Sequence, residues 1–591
     1  MLAYKAPLRD MQFVAHELLK SEAHYEKIGA EDASRDMVDA ILTEGAKFSE
    51  QVLAPLYISG DDGCELVDGK VITPAGFKEA YAQYVDAGWP SIASSVEHGG
   101  QGLPESIATY ISEMASTANW AWGMYPGLSH GAKHTIEAFG TDEQKSRFLE
   151  PLITGEVTGT MCLTEPHCGS DLGLLKTRAD NKADGAFSIN GTKIFISAGD
   201  HDFTDNIIHV VLARLPGAPE GTKGISLFIV PKLKADGSSN GVTCGALEHK
   251  MGIHGNSTAV LNFDDAEGYL LGAENEGLKA MFTFMNVARL GTAMQGVAAA
   301  ELSFQGSLEY AKDRLAMRSL TGPKFPEKAA DPIIVHPDVR RMLMTQKAVA
   351  EGGRAMIYYC SFLVDTVAHS KDADEVNHAT ELLGFLTPIA KAFLTEMGLE
   401  AANHGIQIYG GHGFIKEWGM EQIVRDTRIA TLYEGTTGIQ ALDLLGRKVM
   451  MTQGESLKTF TKVIHKFCEA NAEGDIAEFT SVLSGLNKEW GAVTMELAMK
   501  ASQNREEVGG ASVDYLMYSG FITLAYFWAD MARESMEKLA AGTDDADFYK
   551  AKIATARFYF QRMLPRVAGH KAMMTNGVES MMALDAEHFA F

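Results

Sequence analysis

The chain has 591 residues, more than one hydrophobic core can use, so three or more structural units are expected. Hydrophobic residues make up 46% and charged residues 22%, the balance of a soluble globular protein, and 77 acids against 52 bases leave a net charge of −25. That charge disfavours nucleic acid or an anionic membrane as a partner, and still permits an anionic small molecule held by a few local cations.

The six cysteines, Cys64, Cys162, Cys168, Cys244, Cys360 and Cys468, form no CxxC pair. They point to reduced thiols, with neither a disulfide framework nor a zinc site. The first residues, MLAYKAPLRDMQFVAHELLKSE, lack a continuous apolar core, and Asp10, Glu17 and Glu22 disfavour a transit peptide. A cytoplasmic protein is expected.

Residues 1–40 read as an arm leading into a helix, and 41–156 as a helical N-terminal domain. Apolar residues recur at three and four in MVDAILTEGAKFSEQVL and SIATYISEMASTANWAWGMY. GWPS and Ser95–Pro104 are breaker-rich loops. Phe139–Glu156 is predicted as a helical segment with Thr141 as N-cap and Gly155 as its stop.

At Val157 the texture changes to short β-rich runs split by Gly, Asn and Asp, which predicts a central antiparallel sheet or barrel over 157–275. Helical periodicity returns in Leu278–Leu315, Asp338–Ser370, Asp374–Tyr409 and Gly438–Met451, a helical bundle at 276–454. A further helical domain is expected at 455–591. Its apolar run YLMYSGFITLAYFWA is short of the roughly 20 residues that span a bilayer, so a buried core helix is predicted. The fold class is thus multidomain α+β.

Three stretches carry candidate chemistry. In MCLTEPHCGSD, a strand ends in a polar turn where Thr164, Gly169 and Ser170 offer hydroxyl and N–H groups, suited to a flavin edge or a pyrophosphate, or simply to a strand-end turn. In KIFIS, alternation puts Phe195 and Ser197 on one side, either as a flat apolar face beside a hydroxyl or as a half-buried strand with Phe in the core. In RDTRIATLYEGTTGIQ, Glu434 interrupts an apolar approach, Gly435 frees the backbone, and Thr436 and Thr437 can cap the next helix. Desolvation there would make the carboxylate a better base, or the stretch is an ordinary loop Glu beside a capping Thr. Two Gly-rich loops, Gly99–Gly102 and Gly410–Gly413, follow no βαβ unit, so a dinucleotide fingerprint is absent.

Together with GWPSIASSVEHGGQGLP, FGTDEQKSRFLEPLITGE, NGTKIFISAG, YAKDR and IQIYGGHGF, these runs resemble the acyl-CoA dehydrogenases across 40–450, in the family's order. The added ends resemble a long bacterial branch whose implied substrate is 3-methylmercaptopropionyl-CoA, in dimethylsulfoniopropionate catabolism. The resemblance implies FAD as cofactor, no metal, an acyl-CoA substrate, an electron-transfer flavoprotein as acceptor, and a homodimer. It implies Glu434 as the base that takes the α-proton. Met161, Leu163, Thr164, Gly169, Ser170, Phe195, Ile196 and Ser197 would hold the flavin ring and pyrophosphate, with Thr436 a further contact. Arg314, Gln407, Gly410 and Gly411 would bind the adenine half, those from Gln407 on across a subunit boundary. Ser170, Asn286, Arg289, Tyr433 and Gly435 would meet the substrate.

Phe195 stands where Trp is common, Asn286 where an acid is usual, and Gly438 where Gln is usual. Fatty acyl-CoAs of medium or long chain are the alternative substrates, and oxygen, as in an acyl-CoA oxidase, the alternative acceptor. A flavoprotein with a nucleic-acid-binding role would need a basic terminal domain, whereas acids outnumber bases after residue 455.

Overall fold

A computed structural model describes residues 3–182 and 185–590. Within them the chain forms two compact units, one of 3–6 and 40–291, the other of 7–39 and 292–590.

The first unit begins with short helices and then a two-stranded hairpin, β1 (Glu65–Val67) and β2 (Lys70–Ile72). Helical periodicity alone did not reveal this hairpin in the segment expected to be helical. Its signal is Asp68-Gly69, with φ of 50° and 76°, the turn that two-residue hairpins favour. Helix α1 (Glu105–Ala118) is followed by α2 (Trp120–Phe139), which starts where the Asn119 side chain accepts from the Trp122 N–H at 3.2 Å. The expected cap at Thr141 forms a reciprocal pair with Gln144, and Gly155, at φ 80°, closes the segment.

The β region holds β3 (Thr158–Cys162), β4 (Arg178–Asn181), β5 (Phe187–Ile196), β6 (Ile207–Arg214), β7 (Ile225–Pro231), β8 (Val242–Leu247) and β9 (Ala259–Leu270). They run in the order β3-β6-β4-β5-β9-β7, β8 lies on β9, and a β6–β7 pairing closes the path into a barrel. The sheet is not wholly antiparallel as expected. Both β3 and β4 run parallel to β6, which the long connections between them permit. Strands β6 and β7 are covered on both faces. Ile208, Val210, Leu212 and Leu227 pack with Ala132, Ile136 and Leu152 outside the barrel, while Val211, Ala213, Phe228 and Val230 fill it. Double burial explains why these strands read as unbroken apolar runs.

The second unit contains the C-terminal part of α3 (Gly277–Asp313), then α4 (Pro337–His369), α5 (Ala373–Tyr409), α6 (Thr437–Leu442), α7 (Glu506–Ala541) and α8 (Ala546–Phe558). Helices α3 and α5 touch through glycine. A Cβ at Gly296 would lie 2.2 Å from the Leu394 carbonyl oxygen, and one at Gly398 would lie 2.4 Å from that of Gly296. The run around Phe521 and Trp528 lies buried within α7, as the sequence predicts. The Trp528 indole N–H donates to the Ala348 carbonyl at 3.1 Å.

Residues 7–39, expected as an arm, belong to this unit and place Asp10 in a buried ion cluster. Asp10 pairs with Arg354 and Lys552, Arg354 also bonds Glu301 at 2.9 Å, and Lys552 also bonds Glu351 at 2.8 Å. Burial works against charge on Asp10, but Lys552 and Arg354 outweigh it and hold its pKa down to about 2. Its stabilising effect is therefore complete above about pH 4 and is lost as pH falls towards 2. Replacing Asp10 by Ala takes from two buried cations one of their carboxylate partners, and the expected loss in denaturant unfolding at neutral pH is about 3–5 kcal/mol. A loss below about 1 kcal/mol, the value of an exposed pair, would show the cluster to be incidental.

Candidate active site

Each unit gathers its own part of the motif residues. In the first, β3 delivers Met161, Leu163 and Thr164, and β5 delivers Phe195, Ile196 and Ser197. The two strand ends are tied by the Ile194 N–H donating to the Thr164 carbonyl at 2.9 Å. A buried pair lies beneath the tie. Lys193 Nζ donates to the Leu163 carbonyl at 3.0 Å and to Glu165 at 2.9 Å. Glu165 also accepts from the N–H groups of Lys176 and Thr177 at 2.8 and 2.9 Å. Burial opposes its charge, yet Lys193 and these donors hold its pKa below the usual carboxylate range. Burial likewise pulls the Lys193 pKa down, against the upward pull of Glu165. Neither residue was singled out from the sequence, although LTEP and TKIF contain them.

Phe195 is not in the core. It sits at φ 59° with 59% of its surface exposed, whereas Ile196 beside it is 2% exposed. A register slip in the β5–β9 pairing between Lys193 and Ile196 turns the ring outward while Lys193 stays buried. The side chain of Ile196 faces the barrel interior, so only its backbone is available to a ligand. Ser197 is partly buried, and Gly169 and Ser170 are exposed on the turn after β3. At the start of α3, Met285 and Ala288 pack against the same apolar cluster as Met161 and Leu163. Between them Asn286 accepts from the buried Arg289 guanidinium at 3.5 Å.

In the second unit the Glu434 turn is strained and firmly held. Glu434 has φ 56° and Gly435 φ 89°. The first costs a non-glycine residue on the order of 1–2 kcal/mol. Gln440, buried on α6, donates Nε2 to the Glu434 carbonyl at 2.9 Å. Lys391, wholly buried on α5, donates Nζ to the Gly435 carbonyl at 2.5 Å. Thr436 caps α6 by accepting from the Ile439 N–H at 3.2 Å, and Thr437 donates to Glu396 of α5 at 2.6 Å. Tyr433 is anchored through its hydroxyl to Gln295 of α3. Glu434 is half-buried, with Oε2 wholly covered.

Arg314 ends α3 and is exposed. Its carbonyl accepts from the Ile333 N–H at 2.8 Å, in a loop folded around Asp331. That carboxylate accepts from the N–H groups of Ser319, Lys324 and Phe325. Gln407 is exposed in the last turn of α5, and Gly410 and Gly411 are exposed in the turn that follows, with Gly410 at φ 58°. The turn is backed by Tyr310 and Tyr409, stacked at 4.0 Å, and by His412 stacked on Trp418 at 4.7 Å.

The matched regions fall in the same order. Models of the acyl-CoA dehydrogenase N-terminal, middle and C-terminal domains match 46–156, 160–266 and 275–450, and an "Acetyl-CoA dehydrogenase C-terminal like" model matches 460–585. The chain is 39% identical to 3-methylmercaptopropionyl-CoA dehydrogenase of Ruegeria pomeroyi, over 98% of this chain and 99% of that one. The chain belongs to the acyl-CoA dehydrogenase family. It is also 34% identical to a butyryl-CoA dehydrogenase of Syntrophomonas wolfei, over 100% and 99% of the two chains. An acyl-CoA dehydrogenase from Bacillus anthracis, solved with FAD, shares the fold at 22% identity, with a TM-score of 0.75 over 92% of this chain and 89% of that one.

As a member of this family the protein is an FAD-dependent oxidoreductase that dehydrogenates an acyl-CoA thioester. Its residues fit such a group. An exposed phenylalanine ring held out by a strained backbone is a platform for a planar heterocycle, and the hydroxyls of Thr164, Ser197 and Thr436 suit a polar ligand edge. At Gly410 and Gly411 an added Cβ would meet nothing within 4 Å, leaving the backbone open to close approach.

Lys391 is a test of how the turn is held. Lys391→Met removes the donor to Gly435 while keeping the length of the side chain. The expected result is normal flavin content with kcat lowered on the order of 10- to 100-fold, the effect of shifting a group at a reacting centre by about an ångström. An unchanged kcat would show that Gln440 and Thr436 suffice.

Proposed function

We propose that the enzyme oxidises a short acyl-CoA, with 3-methylmercaptopropionyl-CoA as its preferred substrate and methylthioacryloyl-CoA as product. The observation that carries the reading is a carboxylate held at positive φ in a turn that matches the family's catalytic motif, in a chain 39% identical over nearly its whole length to an enzyme named for that substrate.

Glu434 takes the α-proton onto its carboxylate as the Cα–H bond breaks and the Cα–Cβ double bond forms. Its backbone N–H, on the same turn, polarises the thioester carbonyl and so acidifies that proton. The chemistry that bound FAD would supply is that of an acceptor for the β-hydrogen and its electron pair. Met161, Leu163, Thr164, Gly169, Ser170 and Ser197 hold the flavin and pyrophosphate, with Phe195 as the stacking ring and the backbone of Ile196 beside it. Ser170, Asn286, Arg289, Tyr433 and Gly435 position the acyl-CoA. An electron-transfer flavoprotein is the proposed acceptor, with oxygen the rival.

Glu434→Gln keeps the shape of the side chain and removes its basicity. It should retain flavin and substrate binding and lose nearly all turnover. The thioether acyl group has almost the shape of pentanoyl. An apolar pocket discriminates by only about 1–3 kcal/mol per methylene, and sulfur–aromatic contacts add roughly 0.3–1.5 kcal/mol. A profile of kcat/KM over thioether, C4, C5, C8 and C16 substrates should peak at the thioether and fall modestly at C4 and C5. A maximum at C8 or longer would overturn the short-chain assignment and leave the base assignment standing.

Gln407, Gly410 and Gly411 are proposed to complete the FAD site of a second copy, which makes the working species at least a homodimer. Light scattering on the flavin-loaded enzyme tests this, and a stable flavin-loaded monomer would refute the shared site.

A further inference from the structure

Away from the residues discussed so far, α1 and α2 bring together Glu105, His130 and His134. The two histidines are four residues apart on α2, which puts both rings on one helical face, with centroids 4.5 Å apart and planes at 83°. Glu105 lies in the first turn of α1. His130 Nε2 is 2.7 Å from Glu105 Oε1, and His134 Nε2 is 3.5 Å from Oε2. One ligating atom from each of the three residues lies within 4.8 Å of the other two.

The cluster is incompletely satisfied as an ion pair. Glu105 Oε2 is buried and makes no well-formed hydrogen bond, His134 Nε2 facing it at 3.5 Å. A buried carboxylate oxygen met only by that long contact has capacity for a further electropositive neighbour. Lys133, between the two histidines in sequence, does not supply it, because its ammonium donates to the Pro90 carbonyl. The side chains of Glu105, His130 and His134 are 17%, 24% and 31% exposed, enough for an ion to enter from solvent. Two imidazoles and one carboxylate are the donor set of zinc and its neighbours in the first transition row, and are a poor match for magnesium or calcium.

The geometry points to a binding site for one divalent transition-metal ion, of the zinc or cobalt type, formed by Glu105, His130 and His134. Three protein ligands leave the fourth tetrahedral position to water. The ion would clamp the start of α1 to the middle of α2.

The test uses the flavin-loaded enzyme after dialysis against a chelator. Titration with Co²⁺ should saturate at one ion per chain with the strong visible absorption of tetrahedral cobalt, and Zn²⁺ should displace it and raise Tm. Glu105→Gln and His134→Gln should each weaken Co²⁺ binding more than about tenfold, since losing even an outer-shell partner costs that much. Their flavin content, equal to wild type, reports that they fold. Wild-type enzyme alone gives a second measurement: Zn²⁺ should protect His130 and His134 from diethyl pyrocarbonate, read by mass spectrometry, and Mg²⁺ should not. Equal Co²⁺ binding by wild type and the Glu105→Gln/His134→Gln double variant would overturn the site, as would unprotected histidines.

Discussion

The Glu434 turn depends on holding a glutamate in a backbone conformation that glutamate disfavours. At φ 56° Glu434 cannot be part of a regular helix or strand, and the following residue is also left-handed. Such a turn persists only where its surroundings over-determine it. Here two successive carbonyls are each fixed by a buried side chain, Glu434 by Gln440 and Gly435 by Lys391. The next residue but one is fastened to α5 through Glu396. Helix α5 can serve as this anchor because it is itself immobilised, crossing α3 backbone to backbone at Gly296 and Gly398 and receiving α7 where Gly520 admits Phe393. The strain of the turn is thus offset by packing spread over several helices.

The first unit solves a related problem with the same kind of group. Lys193, like Lys391, is wholly buried and donates to a carbonyl of a site motif, that of Leu163. Burying an ammonium costs several kcal/mol unless its protons are satisfied. A backbone carbonyl meets part of that demand, and for Lys193 the Glu165 carboxylate adds a counter-charge. An apolar side chain of the same volume could fill either space, but it could not fix the position of a carbonyl oxygen. These lysines determine where main-chain groups stand, which is what a site built largely from backbone and hydroxyl contacts requires. Glu165 and Lys193 therefore belong to the support of the strand ends and not to their chemistry.

How far the sequence revealed these features follows from the range of each interaction. The Thr141 cap, the Gly155 stop and the Thr436 cap depend on neighbours within a few positions, and the structure has all three. Long apolar helices such as α5 were evident from periodicity to within a residue or two at their ends. The outward turn of Phe195 was not, because strand alternation assumes an unbroken register and the slip before Ile196 is set by the partner strand β9. Parallel pairing of β3 with β6 was hidden for the same reason. Asp10 reads locally as an exposed helix-start acid, and only its meeting with Arg354 and Lys552, more than 300 positions away, makes it a buried one.

The same contrast separates the motif residues from those that hold them in place. Short motifs such as LYEGTT and MCLTEP can be read because the groups they present are consecutive. Lys391 is 44 positions from Gly435, and Lys193 is 30 from Leu163. Nothing in the local pattern distinguishes either lysine from one on a solvated face. A helical lysine flanked by Ala390 and Ala392 would ordinarily extend its ammonium towards water. Its burial becomes intelligible once the strained turn it faces is known, because an exposed ammonium has no carbonyl to hold. Support residues of this kind can be inferred only from the geometry they enforce, whereas the motif residues carry their signal in the order of the chain.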